Sequence, residues 1–345
     1  MWASMLGHVK WFADFDFADE PRTLAEILTP TFFALAVLSI AVIGTLVIVD
    51  RRLSVQSWYK SIEGWFESRA ENAEIVVRIG VGMVMLLSWQ GDALLVPDLT
   101  VPQTWVGWLQ FVIALLLILD RTVPIAGAGL IVLYLIGIYD FGPFHMLDYT
   151  LYPGAGFYLI VCRVENARVR GLGIPALYLT LGFSLCWVAM EKMVYPQWSQ
   201  YILQNNPELT LGLDPDFFIL AAAFVEFSLG YLLIIGLLER PLALAITMVF
   251  FTTTLVFGKV EVIGHTLIHA CLIVFLLKGP GDVYPAPIGI HKRIPMRVAF
   301  AVVNFMLFLS VLSGAYTIGA DIRQQAEIDE IAMSASEMSE FPIRP

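Results

Sequence analysis

Stretches of about 20 mostly apolar residues recur along the chain and constrain its fold more than any other feature. A helix needs about 20 residues to cross roughly 30 Å of hydrocarbon, and unpaired backbone amides are too costly in lipid. Candidate spans lie near residues 31–49, 75–93, 104–119, 122–139, 144–161, 176–194, 217–238, 241–258, 260–277 and 296–318. The sequence therefore predicts an all-α polytopic membrane bundle with about ten transmembrane helices.

The composition agrees with this fold class. Hydrophobic residues make up 58% of the chain and charged residues only 14%. A soluble protein would need a more charged surface, whereas a lipid bilayer accommodates outward-facing apolar side chains. The net charge of -10 also argues against a basic surface for nucleic acid. We therefore expect the lipid bilayer, and no nucleic acid, as a partner.

The distribution of positive charge predicts the orientation. Of the 20 Lys and Arg residues, 13 fall in alternate loops beginning after the first span. Six lie on the opposite side, tails included, and Arg78 lies within a span. Because cytoplasmic loops retain positive charge, both termini should lie on the non-cytoplasmic side, in a membrane we expect to be a prokaryotic plasma (inner) membrane.

The two ends of the chain flank the main bundle. Residues 1–74 should comprise an outer tail, the first transmembrane helix and an interfacial helix with Trp58 and Trp65 at helical spacing. The first residues lack the features of a secretory signal, so we expect no cleaved signal peptide. Residues 279–319 should form a loop and the last transmembrane helix, and 320–345 an outer mobile tail.

Between these ends the sequence indicates an internal repeat of four spans, in residues 75–163 and again in residues 164–278. Any two apolar bundles with Arg at their turns align to some extent, but the pairing of Asp148 with His265 favours a true repeat. Four crossings return the chain to its starting side, so the copies should be parallel. The matching landmarks are Arg78–Gly80 with Thr180–Gly182, the turn at Asp120 and Arg121 with that at Glu239 and Arg240, and Asp148 with His265.

Ionisable residues are concentrated near the outer side of the second repeat. Inside hydrocarbon each costs roughly 2.5 to 3.5 kcal/mol on insertion scales, so each needs a partner, a water-filled cavity or a function. His265 and His269 are four residues apart and therefore share one helix face. We expect the whole set to converge on one outer-facing pocket. Its members are Glu191, Lys192, Glu226, His265 and His269.

Three chemical interpretations of this cluster remain open. His265, His269 and Glu226 could bind a metal ion, since imidazole and carboxylate are common ligands. Alternatively, a histidine could protonate a quinone oxygen while Glu226 carries the proton onward. The charged groups could also pair with one another to hold helices together. The cysteines Cys162, Cys186 and Cys271 are far apart and form no CxxC pair, which argues against a disulfide framework or structural zinc.

Three features stand out in the predicted second repeat: Lys192 at the end of the first helix, FVEFSLGYLLIIGLLERPLALAI with Glu226 and the Gly236 to Arg240 turn, and Gly264 with His265. On these features, the repeat resembles the DoxX/DoxD family of small four-helix membrane proteins over about residues 176–278. The resemblance implies a membrane subunit of a respiratory or sulfur-oxidising system linked to quinone. This chain differs by doubling the unit, adding a span at each end, and lacking the Lys, Glu and His positions in its first copy.

The resulting hypothesis is a redox-linked membrane subunit that binds a quinone or similar lipid-soluble ligand in the second repeat. Glu226 and His265 are the expected catalytic residues, and His269, Glu191 and Lys192 would contribute to binding. A membrane or extracytoplasmic redox protein is the expected partner. Thiosulfate chemistry is not expected, because nothing in the chain suggests a sulfur-handling partner. The alternatives are a divalent-metal or small-solute transporter and a structural or assembly subunit of a respiratory complex.

Overall fold

The computed structural model describes residues 9–13, 15–210, 212–281, 283 and 285–339. The fold is all-α: 81% of it is helical, and no strand occurs in these ranges. The predicted all-α class is therefore confirmed. The helices of ten or more residues are α1 Pro30–Leu53, α2 Ser57–Glu67, α3 Ala73–Gln90, α4 Thr104–Leu116, α5 Val123–Phe141, α6 Leu151–Val161, α7 Gly173–Val194, α8 Pro196–Asn205, α9 Pro215–Ile235, α10 Glu239–Phe257, α11 Lys259–Lys278 and α12 Ile294–Ser339.

Local sequence signals explain where several of these helices begin and end. The side chain of Thr29 accepts a hydrogen bond from the amide of Phe32 at the start of α1. Asp214 caps α9 in the same way, with Pro215 in the first turn. Both arrangements satisfy backbone amides that have no partner within the helix. Gly236 ends α9 with a φ of 68°, a left-handed conformation that glycine adopts without steric cost.

Six helical stretches are long and apolar enough to span a membrane. In the described part of the chain they are Pro30–Leu53, Asp120–Phe141, Ala167–Val194, Pro215–Ile235, Lys259–Lys278 and Ile294–Met333. The shorter apolar helices α4 and α6 cover predicted spans at 104–119 and 144–161, and α3 and α10 cover those at 75–93 and 241–258. Six of the ten predicted spans thus have the required length and composition, and the other four remain predictions.

Eight helices pack in a closed ring. Each contacts the next in the order α3, α4, α5, α6, α7, α9, α10, α11, and α11 returns to α3. Small residues allow the closest approaches. A Cβ atom added to Gly182 of α7 would lie 2.6 Å from the carbonyl oxygen of Gly230 in α9, and the reverse distance is also 2.6 Å. Such contacts let membrane helices gain van der Waals packing without a hydrophobic driving force.

The helix ends on one side of the ring carry most of the arginines; we call this side the arginine-rich end. Arg240 places its guanidinium 3.3 Å from Glu63 and 3.3 Å from Glu67 of α2. It therefore ties α2, the predicted interfacial helix, to the bundle. No residue of α2 is buried, and Trp58 and Trp65 are exposed, as expected for an amphipathic helix on a surface.

The last helix is longer than predicted. The sequence analysis ended the final span near residue 318 and expected a mobile tail beyond it, but α12 continues to Ser339. Residues after 318 lack an apolar period yet include many Ala, Glu, Gln and Met, which are strong helix formers. The i,i+4 ion pair between Arg323 and Glu327, at 2.6 Å, adds further support. Helix propensity here outweighs the absence of an amphipathic pattern.

Candidate functional site

The predicted site residues occupy the end of the bundle at which α7 ends and α9 and α11 begin; we call it the site end. Lys192 lies in the last turn of α7, and its Nζ is 2.7 Å from Oε2 of Glu226 in α9. The side chains are 1% and 12% exposed. Glu226 also interacts electrostatically with Glu191 and His265. The structure therefore brings these four predicted residues into one charged region.

Glu191 has a partner that the sequence analysis did not identify. Its Oε2 lies 2.8 Å from Nζ of Lys10, which was expected in the outer tail. The same Nζ donates to Oδ2 of Asp148 at 2.6 Å. All three side chains are at most 1% exposed. Lys10 thus joins a carboxylate from each of the two predicted repeats, and Lys10 and Asp148 belong to the site.

The segment around Lys10 inserts between the helix ends. Val9 and Phe17 are buried, and the Lys10 ammonium lies 5.3 Å from the Phe17 ring centroid and 5.8 Å from that of Trp198. Burial alone would lower the pKa of Lys10, but the two carboxylates outweigh it and raise the pKa. The lysine therefore stays charged. The aromatic run KWFADFDF was a sequence signal for this burial.

His265 is buried and oriented by Glu261, one turn earlier on α11. Its Nδ1 contacts Oε2 of Glu261, and both side chains are at most 1% exposed. The ring of Trp11 packs against it at a centroid distance of 5.1 Å, and Phe250 packs at 4.3 Å. A carboxylate on one imidazole nitrogen fixes the tautomer and leaves the other nitrogen for chemistry. Glu261 was missed, although its i,i+4 spacing from His265 was visible in the sequence.

His269 has a different environment, because it lines a groove of about 420 Å³ between α3 and α11. The groove is predominantly apolar, and its walls include the exposed side chains of Ile79 and Met83. The His269 ring lies edge-on to His265, with a centroid distance of 6.4 Å. Of the five predicted residues, His269 is therefore the one that faces this groove. The lining residues are Val76, Ile79, Gly80, Met83, Phe251, Val262, Thr266, His269, Ala270 and Ile273.

A second polar cluster lies in the part predicted to be the first repeat. Nε2 of His145 is 2.9 Å from Oδ2 of Asp98, and the hydroxyl of Tyr149 donates to the same carboxylate at 2.8 Å. Burial would raise the pKa of Asp98, but His145 and Tyr149 lower it overall. The indole of Trp11 donates to Tyr149 at 3.4 Å, which links this cluster to His265. Residues 75–163 therefore contribute polar groups that the sequence analysis did not identify.

The geometry does not support the metal interpretation. Within the described ranges, no group of three or more His, Cys, Asp or Glu side chains is arranged to hold a metal ion. The rings of His265 and His269 are nearly perpendicular, at 89°, and Glu226 pairs with Lys192. A tetrahedral site would need several donors about 2 Å from one point. The metal interpretation of His265, His269 and Glu226 therefore stays a prediction.

Comparison with known proteins identifies one region. Residues 177–259 match the DoxX family, a segment that begins in α7 and ends at the start of α11. It includes Lys192 and Glu226, and it stops before His265. No curated protein and no solved structure matches the chain. With six helices long and apolar enough to cross a bilayer, the chain is an integral membrane protein in which residues 177–259 are similar to the DoxX family.

Proposed function

We propose that the protein is a redox-linked membrane subunit that binds a quinone, or a similar lipid-soluble ligand, in the groove between α3 and α11. The observation that carries the proposal is the position of His269 on this apolar surface. A volume of about 420 Å³ lies within the usual range of about 300 to 1,000 Å³ for small-molecule sites. An apolar groove with one polar group suits a flat ring with a carbonyl oxygen and a hydrocarbon tail.

The two histidines would supply a route for protons. An imidazole N–H of His269 would donate to the quinone carbonyl, and His265, oriented by Glu261, would resupply the proton. Glu226 interacts electrostatically with His265 and would carry protons onward. Reduction of a quinone to a quinol takes two electrons and two protons. The electrons would come from a membrane or extracytoplasmic redox protein.

The ring of helices supports the proposal of two parallel four-helix units. Helices α3 to α6 would form the first unit, and α7 with α9 to α11 the second. The ring closes through two junctions, α6 with α7 and α11 with α3, and each joins the last helix of one unit to the first helix of the other. A twofold axis along the membrane normal would produce this order. The groove lies at the second junction.

We further propose ten spans and a prokaryotic plasma membrane. The clustering of arginines at one end of the bundle supports placing that end in the cytoplasm, with both termini on the opposite side. The site end would then face an extracytoplasmic partner. Cysteine accessibility labelling at Arg51 and Asp92, on opposite ends of the bundle, would test this orientation in cells.

A structural role for the charged residues is the competing proposal, and the pairing of Lys192 with Glu226 favours it. The two proposals share Glu226 but differ at two other residues, because His269 lines the groove while Lys192 would hold α7 to α9. A purely structural cluster would lose stability on substitution without any effect on ligand retention.

The decisive experiment measures quinone retained by the purified protein, by extraction and mass spectrometry. His269→Ala should reduce quinone retention about threefold to tenfold, the change expected from the loss of one neutral hydrogen bond. His291→Ala, at the arginine-rich end, is the matched control. Met83→Trp should fill the groove and reduce retention, whereas Leu135→Trp, on the exposed face of α5, should not. Equal retention in all four variants would reject the groove as the binding site.

A further inference from the structure

We infer that the site end binds one exchangeable proton between Asp148 and Glu191, beside the ammonium of Lys10. The two carboxylates belong to different helical elements and meet at one lysine, with contacts of 2.6 and 2.8 Å. This site is separate from the groove and does not depend on the proposed quinone.

The first argument is charge balance. Asp148, Glu191 and Lys10 would carry one net negative charge if both carboxylates were ionised, and all three side chains are at most 1% exposed. An unpaired buried charge is so costly that a buried carboxyl normally takes up a proton instead. One proton shared by the pair makes the group neutral.

The second argument is the unused hydrogen-bonding capacity around the pair. Oδ1 of Asp148 and Oε1 of Glu191 are buried, and no described group donates to them. The hydroxyls of Tyr195 and Tyr316 are also buried and lack a partner in the described part of the chain, and both interact electrostatically with Glu191. A protonated carboxyl offers an O–H donor, which an ionised one lacks. Protonation therefore improves hydrogen bonding as well as charge balance.

The neighbouring charged groups do not supply the missing positive charge. Lys192 pairs with Glu226, and Arg323, which lies over Phe17, pairs with Glu327. His145 pairs with Asp98, which adds a further carboxylate nearby. The titratable and charged groups facing the pair are Lys10, Asp98, Tyr134, His145, Tyr149, Tyr195, Glu226 and Tyr316.

Infrared difference spectroscopy of the purified protein tests the inference directly. At neutral pH the wild type should show the C=O stretch of a protonated carboxyl, shifted in D₂O. Burial raises the pKa of Glu239, at the arginine-rich end, to about 8, so this residue contributes to the band in every variant. Glu191→Gln and Asp148→Asn should each lower the band by the intensity of one carboxyl, because the remaining carboxylate balances Lys10. Lys10→Met should raise it by the intensity of one carboxyl. Glu63→Gln, at the arginine-rich end, should leave it unchanged. A band unchanged in both carboxyl variants, or no band in the wild type, would overturn the inference.

A bound metal cation is the alternative source of positive charge, and ion replacement distinguishes it. The band should be the same in sodium and in choline buffers at constant pH. A band that appears only after sodium is withdrawn would overturn the inference in favour of a cation site.

The pH dependence of unfolding provides an independent measurement. Carboxyl groups in an unfolded chain have a pKa of about 4, so at neutral pH unfolding would release the bound proton. The native state then binds more protons than the unfolded state, and stability falls as pH rises. Between about pH 5 and the pH at which the native protein releases this proton, the shared proton should raise the unfolding constant by a factor of about ten per pH unit. Glu191→Gln should remove this contribution to the slope. Equal slopes in the two proteins would contradict the inference.

Discussion

Lys192 and Glu226 form a largely buried ion pair across α7 and α9, with Nζ 2.7 Å from Oε2. Removing one partner leaves the other charge buried without compensation, which costs about 3 to 5 kcal/mol. Glu226→Gln should therefore destabilise the folded protein by an amount in this range, as measured by the free energy of unfolding in detergent.

The double variant Lys192→Met with Glu226→Gln distinguishes the effect of the ion pair on stability from the effect of side-chain packing. Because no unpaired charge remains, it should be more stable than Glu226→Gln alone, and the coupling energy from the double-mutant cycle should be large. If the two single effects simply add, the ion pair does not hold these helices together.

The close contact of Gly182 with Gly230 predicts a steric effect at the same helix pair. A methyl group on Gly182 would approach the backbone of α9, so Gly182→Ala should force α7 and α9 apart and destabilise the protein by about 1 to 3 kcal/mol. Gly314→Ala is the control, because a Cβ there meets no atom within 4 Å. The control should be neutral or stabilising by up to about 1 kcal/mol, since alanine favours helices. Equal thermal shifts in the two variants would contradict the predicted clash.

The sequence predicted the helical content well because bilayer-length apolar runs dominate it. It also identified Lys192 and Glu226, since ionisable residues stand out within such runs. It missed the pairing of Lys10 with Asp148 and Glu191 because the partners are 138 and 181 positions apart, and no local period links them. The site depends on which helix ends meet, a property of tertiary packing.

The histidines illustrate a second limit of sequence patterns. Spacing of four residues places His265 and His269 on one face of α11, yet one is buried beside Glu261 and the other lines the apolar groove. The face of α11 that carries both histidines contacts two different helices, α10 and α3. Two residues on one helix face can therefore line different pockets.

Arg240 should control the attachment of α2. Its Nε donates to the carbonyl of Leu276 at 2.8 Å while the other nitrogens reach Glu63 and Glu67. A lysine side chain cannot donate hydrogen bonds in these three directions at once.

Arg240→Lys should therefore loosen α2 and accelerate tryptic cleavage after Lys60. Arg121→Lys, a substitution at an exposed position, should not. Identical digestion rates would show that α2 is held by other contacts.

Gly264 should control the burial of Lys10. The indole of Trp11 packs directly on Gly264, so that a side chain there would occupy the same space. Gly264→Leu should therefore displace the segment that carries Lys10, Trp11 and Phe17 from the helix ends. The exposed ammonium would lose the two carboxylates that raise its pKa, and it would become accessible to water.

The measurement is acylation of Lys10 by a water-soluble amine reagent, followed by peptide mass spectrometry. The wild type should label slowly at Lys10, because the side chain is 1% exposed and firmly protonated. Gly264→Leu should label at least about tenfold faster, the factor that corresponds to about 1.4 kcal/mol of lost protection. Gly314→Leu, where the added side chain meets open space, should label like the wild type. Rapid labelling of the wild type would mean that this segment leaves the helix ends readily, and Lys10 would then be a transient partner of Asp148 and Glu191.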